Sequence, residues 1–153
     1  MRYAENTSVP VERSKAEIEK VLTAYGATGF MYGTSERKAM ILFKANNRLV
    51  RFSLPFPDPE DEQFQRTETG RTRKSNKIPE AYDQEVRRRW RALSLAIKAK
   101  LEAVATGITL FDEEFLAHIV LPDGKTVAED AIPKIDGMYK SGKNVPLLPF
   151  LEG

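Results

Sequence analysis

Residues 78–107, IPEAYDQEVRRRWRALSLAIKAKLEAVATG, open on Ile78-Pro79 and close on Gly107. Proline suits the first helical position and glycine the place just past the last, so the stretch predicts one helix from Pro79 to Gly107. Val86, Trp90, Leu93, Ile97, Leu101 and Val104 recur at steps of four and three, which makes one apolar stripe. At about 1.5 Å per residue the helix is about 40 Å long, enough to cross a small domain. Trp90 sits in the stripe, so it reads as core and not as a platform for bases. The other faces carry Arg87, Arg88, Arg89, Arg91, Lys98 and Lys100.

Upstream of this helix lies the pattern of a sheet. Ala27 to Gly33, Lys38 to Ala45 and Arg48 to Leu54 read as three antiparallel strands. Asn46-Asn47 is a two-residue turn able to take the positive φ angles of a type I′ hairpin, and it sets the register. It pairs Phe43 with Val50, Ile41 with Phe52 and Ala39 with Leu54, all apolar and all on one face. The opposite face pairs Lys44 with Leu49, Leu42 with Arg51 and Met40 with Ser53. That mixed face either lies under another helix or is a binding surface.

Before the sheet, Ser14 with Glu17 three residues on reads as a capping box. It opens a helix with Ile18, Val21, Leu22 and Tyr25 on one face, and Gly26 ends it. After the sheet, Pro55-Phe56-Pro57-Asp58-Pro59 cannot continue a ladder. The segment from about 58 to 78 shows no periodicity, and Glu68 to Asn76 is expected to be mobile. Beyond Gly107, Thr109 with Asp112 suggests a short helix, and Pro122-Asp123-Gly124 a turn. Thr126 with Glu129 forms another capping box, opening a helix that Pro133 should kink or divide. Residues 140–153, with Val145-Pro146-Leu147-Leu148-Pro149-Phe150, are expected to pack back on the body. The fold expected is α+β in a single domain over 1–153: short helix, three-stranded antiparallel meander, long basic loop, long helix packed on the sheet, and short C-terminal helices.

Composition narrows the chemistry. The chain has no cysteine and one histidine, so neither a Ser/His/Asp triad with a free choice of histidine nor a zinc cluster is in view. His118, beside Ile119, reads as structural. Asp112-Glu113-Glu114 and Asp58 to Glu62 are the carboxylate clusters, the first explained by a helix's first turn and the second lying in a loop. No glycine-rich phosphate loop is present. The expectation is a binding protein and not an enzyme, with no metal and no cofactor. No apolar run is long enough to span a membrane and the N-terminus lacks a signal-peptide core, which points to a cytoplasmic protein.

Charge is segregated along the chain. Residues 1–65 carry nine basic and nine acidic side chains, residues 66–100 eleven against four, and residues 101–153 four against nine. The basic middle supplies the candidate site. Arg87, Arg91 and Lys98 lie on one side of the long helix with Arg88 flanking, and Arg66, Arg71, Arg73, Lys74 and Lys77 form an arm entering beside its start. Lys44 and Arg51 on the sheet's mixed face complete the set. A row of guanidinium groups with a basic arm suits a phosphate backbone, because each neutralised phosphate releases a counterion.

The order helix, three-stranded meander, helix is similar to the double-stranded-RNA-binding domain, and a long helix across such a sheet is similar to the kernel of phage single-strand annealing proteins. Tyr25-Gly26-Ala27, Arg89-Trp90-Arg91-Ala92-Leu93, Ile97-Lys98-Ala99-Lys100-Leu101-Glu102 and Phe115-Leu116-Ala117-His118-Ile119-Val120-Leu121-Pro122-Asp123-Gly124 resemble a family of small phage- and prophage-encoded proteins of unknown function. The resemblance implies a phage setting. Together these readings predict an accessory protein of phage recombination or replication that binds DNA, single-stranded before duplex, and can form homo-oligomers. The alternative is an anti-defence protein that docks on a host or phage protein or sequesters a nucleotide signal.

Overall fold

The computed structural model describes residues 8–147. Its elements, in chain order, are α1 (Val11–Tyr25), β1 (Thr28–Ser35), β2 (Lys38–Ala45), β3 (Arg48–Pro55), α2 (Glu62–Gln65), α3 (Ile78–Ala105), α4 (Phe111–Glu114) and α5 (Val127–Ser141). Single 3₁₀ turns at Ser75–Lys77 and Leu116–His118 lead into α3 and follow α4. The class is α+β, with the long helix packed against a three-stranded antiparallel sheet of order β1-β2-β3.

The hairpin register is the expected one. Asn46 and Asn47 have φ of 51° and 61°, the left-handed pair a type I′ turn requires. Phe43 faces Val50, Ile41 faces Phe52 and Ala39 faces Leu54, and all six side chains are buried. Against this face pack Ile18 and Leu22 of α1 and Trp90, Ile97 and Leu101 of α3. Phe111 and Phe115 close one end, where Phe115 meets Phe43 and Phe52 edge-on at 6.2 and 6.1 Å. Each large side chain taken fully from water contributes about 1.5–3 kcal/mol, so this cluster is the main source of cohesion.

One local expectation fails and two are refined, each for a physical reason. Helix α1 begins at Val11, after the extended Pro10, whose carbonyl accepts from the N–H groups of Arg13 and Ser14. Ser14 is therefore no cap. It lies on the buried stripe of α1, fully enclosed, and its hydroxyl has no hydrogen-bond partner among the described residues. Thr109 likewise does not cap α4, because its hydroxyl donates to the Glu114 carboxylate at 3.1 Å. Pro133 lies inside α5 without dividing it. Pro133 and Glu129 are both exposed, so the carbonyl left without an N–H partner can be met by water.

The capping box at Thr126 and Glu129 is present in full. Gly107 follows α3 with φ of 81°, and the N–H of Ile108 returns to the Ala103 carbonyl at 3.0 Å. The segment 58–77, expected to lack structure, carries α2 and a small hairpin. Phe64 is the reason: it is buried and meets the Tyr82 ring of α3 edge-on at 5.3 Å. Beyond it Arg66 and Thr72 form a bridge, with the Thr67 N–H donating to the Arg71 carbonyl at 2.7 Å and the Arg73 N–H to Gln65 at 2.7 Å. Of the C-terminal tail, Lys134 holds the Leu147 carbonyl at 2.9 Å, while Val145 and Leu147 stay exposed. Residues 148–153 and 1–7 lie outside the described residues.

Candidate nucleic-acid interface

The arginines of α3 are arranged mostly as internal ties. Arg91 pairs with Glu17 of α1, across the helix–helix contact. Arg89 donates to the Pro55 carbonyl at the end of β3 at 2.6 Å and to Glu85 at 3.1 Å. Arg88 also pairs with Glu85, a carboxylate that is 5% exposed. A buried carboxylate needs such partners, since an unpaired charge away from water is expensive. Arg87 donates to the Gln84 side chain at 2.6 Å. Lys98 is exposed and without a partner among the described residues. The expected row thus exists as a row of side chains, but its middle serves α1, β3 and Glu85.

The arm has a different character. Arg66 pairs with Glu62 at 3.0 Å and Lys77 with Glu80 at 3.4 Å. Arg73 is half-buried and donates to the Arg66 carbonyl at 2.9 Å. Arg71 and Lys74 are exposed, and neither side chain has a partner among the described residues. They stand on backbone that is itself hydrogen-bonded.

On the sheet, Arg51 is held by the Glu129 carboxylate and by the Gly124 carbonyl at 3.0 Å. The N–H and hydroxyl of Thr126 hold the Glu129 carboxyl below its ordinary range, and Arg51 adds to their effect. Lys44 is exposed and unpaired among the described residues. It lines an open depression of about 460 Å³ at the hairpin end, with Gly26, Thr28, Asn47, Arg48 and Leu49. Lys44 is therefore separate from the arm and from α3.

Folding also brings the acidic and basic parts of the long loop together. Residues 58–91 hold nine cations against eight carboxylates, and α2 packs on α3 through Phe64 and Tyr82. The excess that sequence segregation promised is largely cancelled in space, and Arg71 and Lys74 are what remains accessible at that end. The Glu62–Arg66 spacing of four was legible beforehand. The Arg91–Glu17 pairing, 74 residues apart, was not.

The acidic clusters are dispersed. Asp112 pairs with Arg48 at 3.1 Å and Glu114 with Lys100 at 3.5 Å. Asp58 meets Arg37 at 3.2 Å and accepts from the Glu60 N–H at 2.9 Å, which holds its carboxyl below the usual range. Among the described residues no group of three or more His, Asp or Glu could hold a metal ion, and no helix is long and apolar enough to cross a membrane. His118 is stacked on Phe52 at 4.0 Å and is a packing residue. The aromatic rings of Trp90, Phe43, Phe52, Phe111 and Phe115 are all in the core, and Tyr139 alone among the aromatic residues described stands far out, at 88% exposure.

The fold and site define a mixed α+β chain with a cationic arm. No protein-family model matches it, and no curated protein or solved structure is significantly similar.

Proposed function

We propose that this chain is a nucleic-acid-binding accessory protein that holds DNA by its phosphates, using the hairpin arm at the N-terminal end of α3. The observation that carries the reading is the pair Arg71 and Lys74, exposed and without partners on backbone that hydrogen bonds hold in place. Arg87 and Lys98 extend the path along α3, each free of a carboxylate partner in the described residues. The setting of phage recombination or replication is the one the sequence resemblance suggests. Few exposed rings are available for stacking, so affinity rests on phosphate contacts and carries little base preference.

The test is a titration of labelled single-stranded and duplex oligonucleotides at several salt concentrations. Arg71→Ala and Lys74→Ala should each weaken binding and lower the log–log salt slope by about 0.7 on single strands or about 0.9 on duplex. Arg91→Ala, which cuts the tie to Glu17, should reduce stability more than affinity. Absence of binding to both forms near physiological salt would defeat this reading. It would bring forward the second one, an anti-defence protein docking on a host protein, which is favoured by the exposed Met31 on the outer face of the sheet.

A further inference from the structure

Among the described residues, two exposed apolar surfaces differ in the charges beside them. The first is the outer face of the sheet, which the described residues cover at Arg51, through Gly124 and through Glu129 of α5. Met31, Met40, Leu42 and Leu49 form its centre, with Lys38 at one end and Lys44 at the other. Met31 is 63% exposed. Of the five cations in residues 28–55, Arg37, Arg48 and Arg51 are paired with Asp58, Asp112 and Glu129, which leaves Lys38 and Lys44 on this face without a carboxylate partner among the described residues; the single carboxylate, Glu36, lies in the β1–β2 turn. Methionine and leucine beside glycines 29 and 33 give a flat and adaptable apolar centre.

The second surface is the shoulder after α3. Ile108, Leu110 and Leu116 are 77%, 69% and 51% exposed. Leu110, Glu113 and Leu116 recur at steps of three, on the side of α4 opposite the buried Phe111 and Phe115. Residues 101–124 hold five carboxylates and no lysine or arginine. Asp112 and Glu114 are paired, whereas the carboxylates of Glu102 and Glu113 have no partner among the described residues. Single exposed apolar side chains are ordinary, but three within nine residues form a patch that solvent disfavours.

We propose that the sheet's outer face in one copy receives the 108–116 shoulder of a second copy. Leu110 and Leu116 cover Met31 and Leu42, and Glu113 meets Lys44 beside the depression at the hairpin end. Charge complementarity selects this occupant: a cation-ended apolar face and an acidic apolar shoulder are carried by the same chain in equal number. Because the two surfaces differ, the contact is heterologous and builds a ring or a longer chain of copies. The inference stands apart from the nucleic-acid reading, since neither Arg71 nor Lys74 takes part.

Sedimentation equilibrium on the full chain, without nucleic acid, tests it. Average mass should rise with protein concentration up to about 100 µM, the range in which small transient interfaces are visible. Lys44→Glu and Glu113→Lys should each raise the dissociation constant by about tenfold, and the double variant should recover most of the loss. Both positions are exposed, and circular dichroism would verify that each variant keeps its fold. A wild type that stays monomeric throughout would overturn the proposal. So would two single variants that associate like the wild type, or a double variant no better than either single one.

Discussion

At the scale of the residue, His118 links packing to pH. Burial against Phe52 pushes its pKa below the ordinary 6.5, and the nearby Lys100 adds to the effect, while a hydrogen bond to the Arg51 backbone opposes it. The unfolded chain therefore binds a proton at this histidine before the folded chain does. Stability from the neutral ring is complete above pH 6.5 and is lost as pH falls from there through the lower folded value. Thermal melts from pH 7.5 to about 5 should show a falling Tm, and His118→Gln should flatten that slope. An unchanged slope in the variant would assign the acid sensitivity elsewhere. Glu129 and Asp58, both held below the carboxylate range, contribute their own loss only at more acidic pH.

At the scale of the element, the arm is defined by one side chain. Phe64 anchors α2 on Tyr82, and the hairpin from Arg66 to Thr72 hangs from that contact. Truncating a buried phenylalanine costs about 3–5 kcal/mol. If most of that falls on the arm, Phe64→Ala should raise the rate of tryptic cutting between Arg66 and Lys77 by on the order of a hundredfold, with the α3 core intact. Equal cutting rates in variant and wild type would show that Phe64 does not hold the arm. The same residue explains why this segment was hard to read in sequence. A lone phenylalanine among polar residues has no period, and its partner Tyr82 lies 18 positions on. By contrast, β2, β3 and their register followed from the Asn46-Asn47 turn, α3 from its stripe, and the start of α5 from Thr126 and Glu129. Those signals are local, as are the physical causes behind them.

At the scale of the molecule, long-range partners decide what sequence could not. Which arginines are accessible depends on Glu17, Pro55 and Glu85, and only the last is on the same helix. Charge counts by segment suggested a strongly basic surface, yet the acidic stretch 58–62 shares its end of the molecule. The outer sheet face likewise carries a tie that local pattern does not show, from Arg51 to Glu129 of α5, 78 residues on.

The placement of the core has a consequence in time. The inner sheet face of Ile41, Phe43, Val50 and Phe52 is complete by residue 55, but its covers, Trp90, Ile97 and Phe115, are made later. A ribosome adds about 5–20 residues per second, so the nascent meander spends seconds with Ile18 and Leu22 of α1 as the part of its cover already made. Helix α1, released first, has its α3 partner still inside the exit tunnel. A fragment of residues 1–57 should accordingly fail to fold, giving a poorly dispersed amide spectrum and binding a hydrophobic dye. A dispersed spectrum would show the meander to be self-sufficient. Until α3 emerges, the order of synthesis leaves this chain dependent on whatever shields apolar surface in its cell.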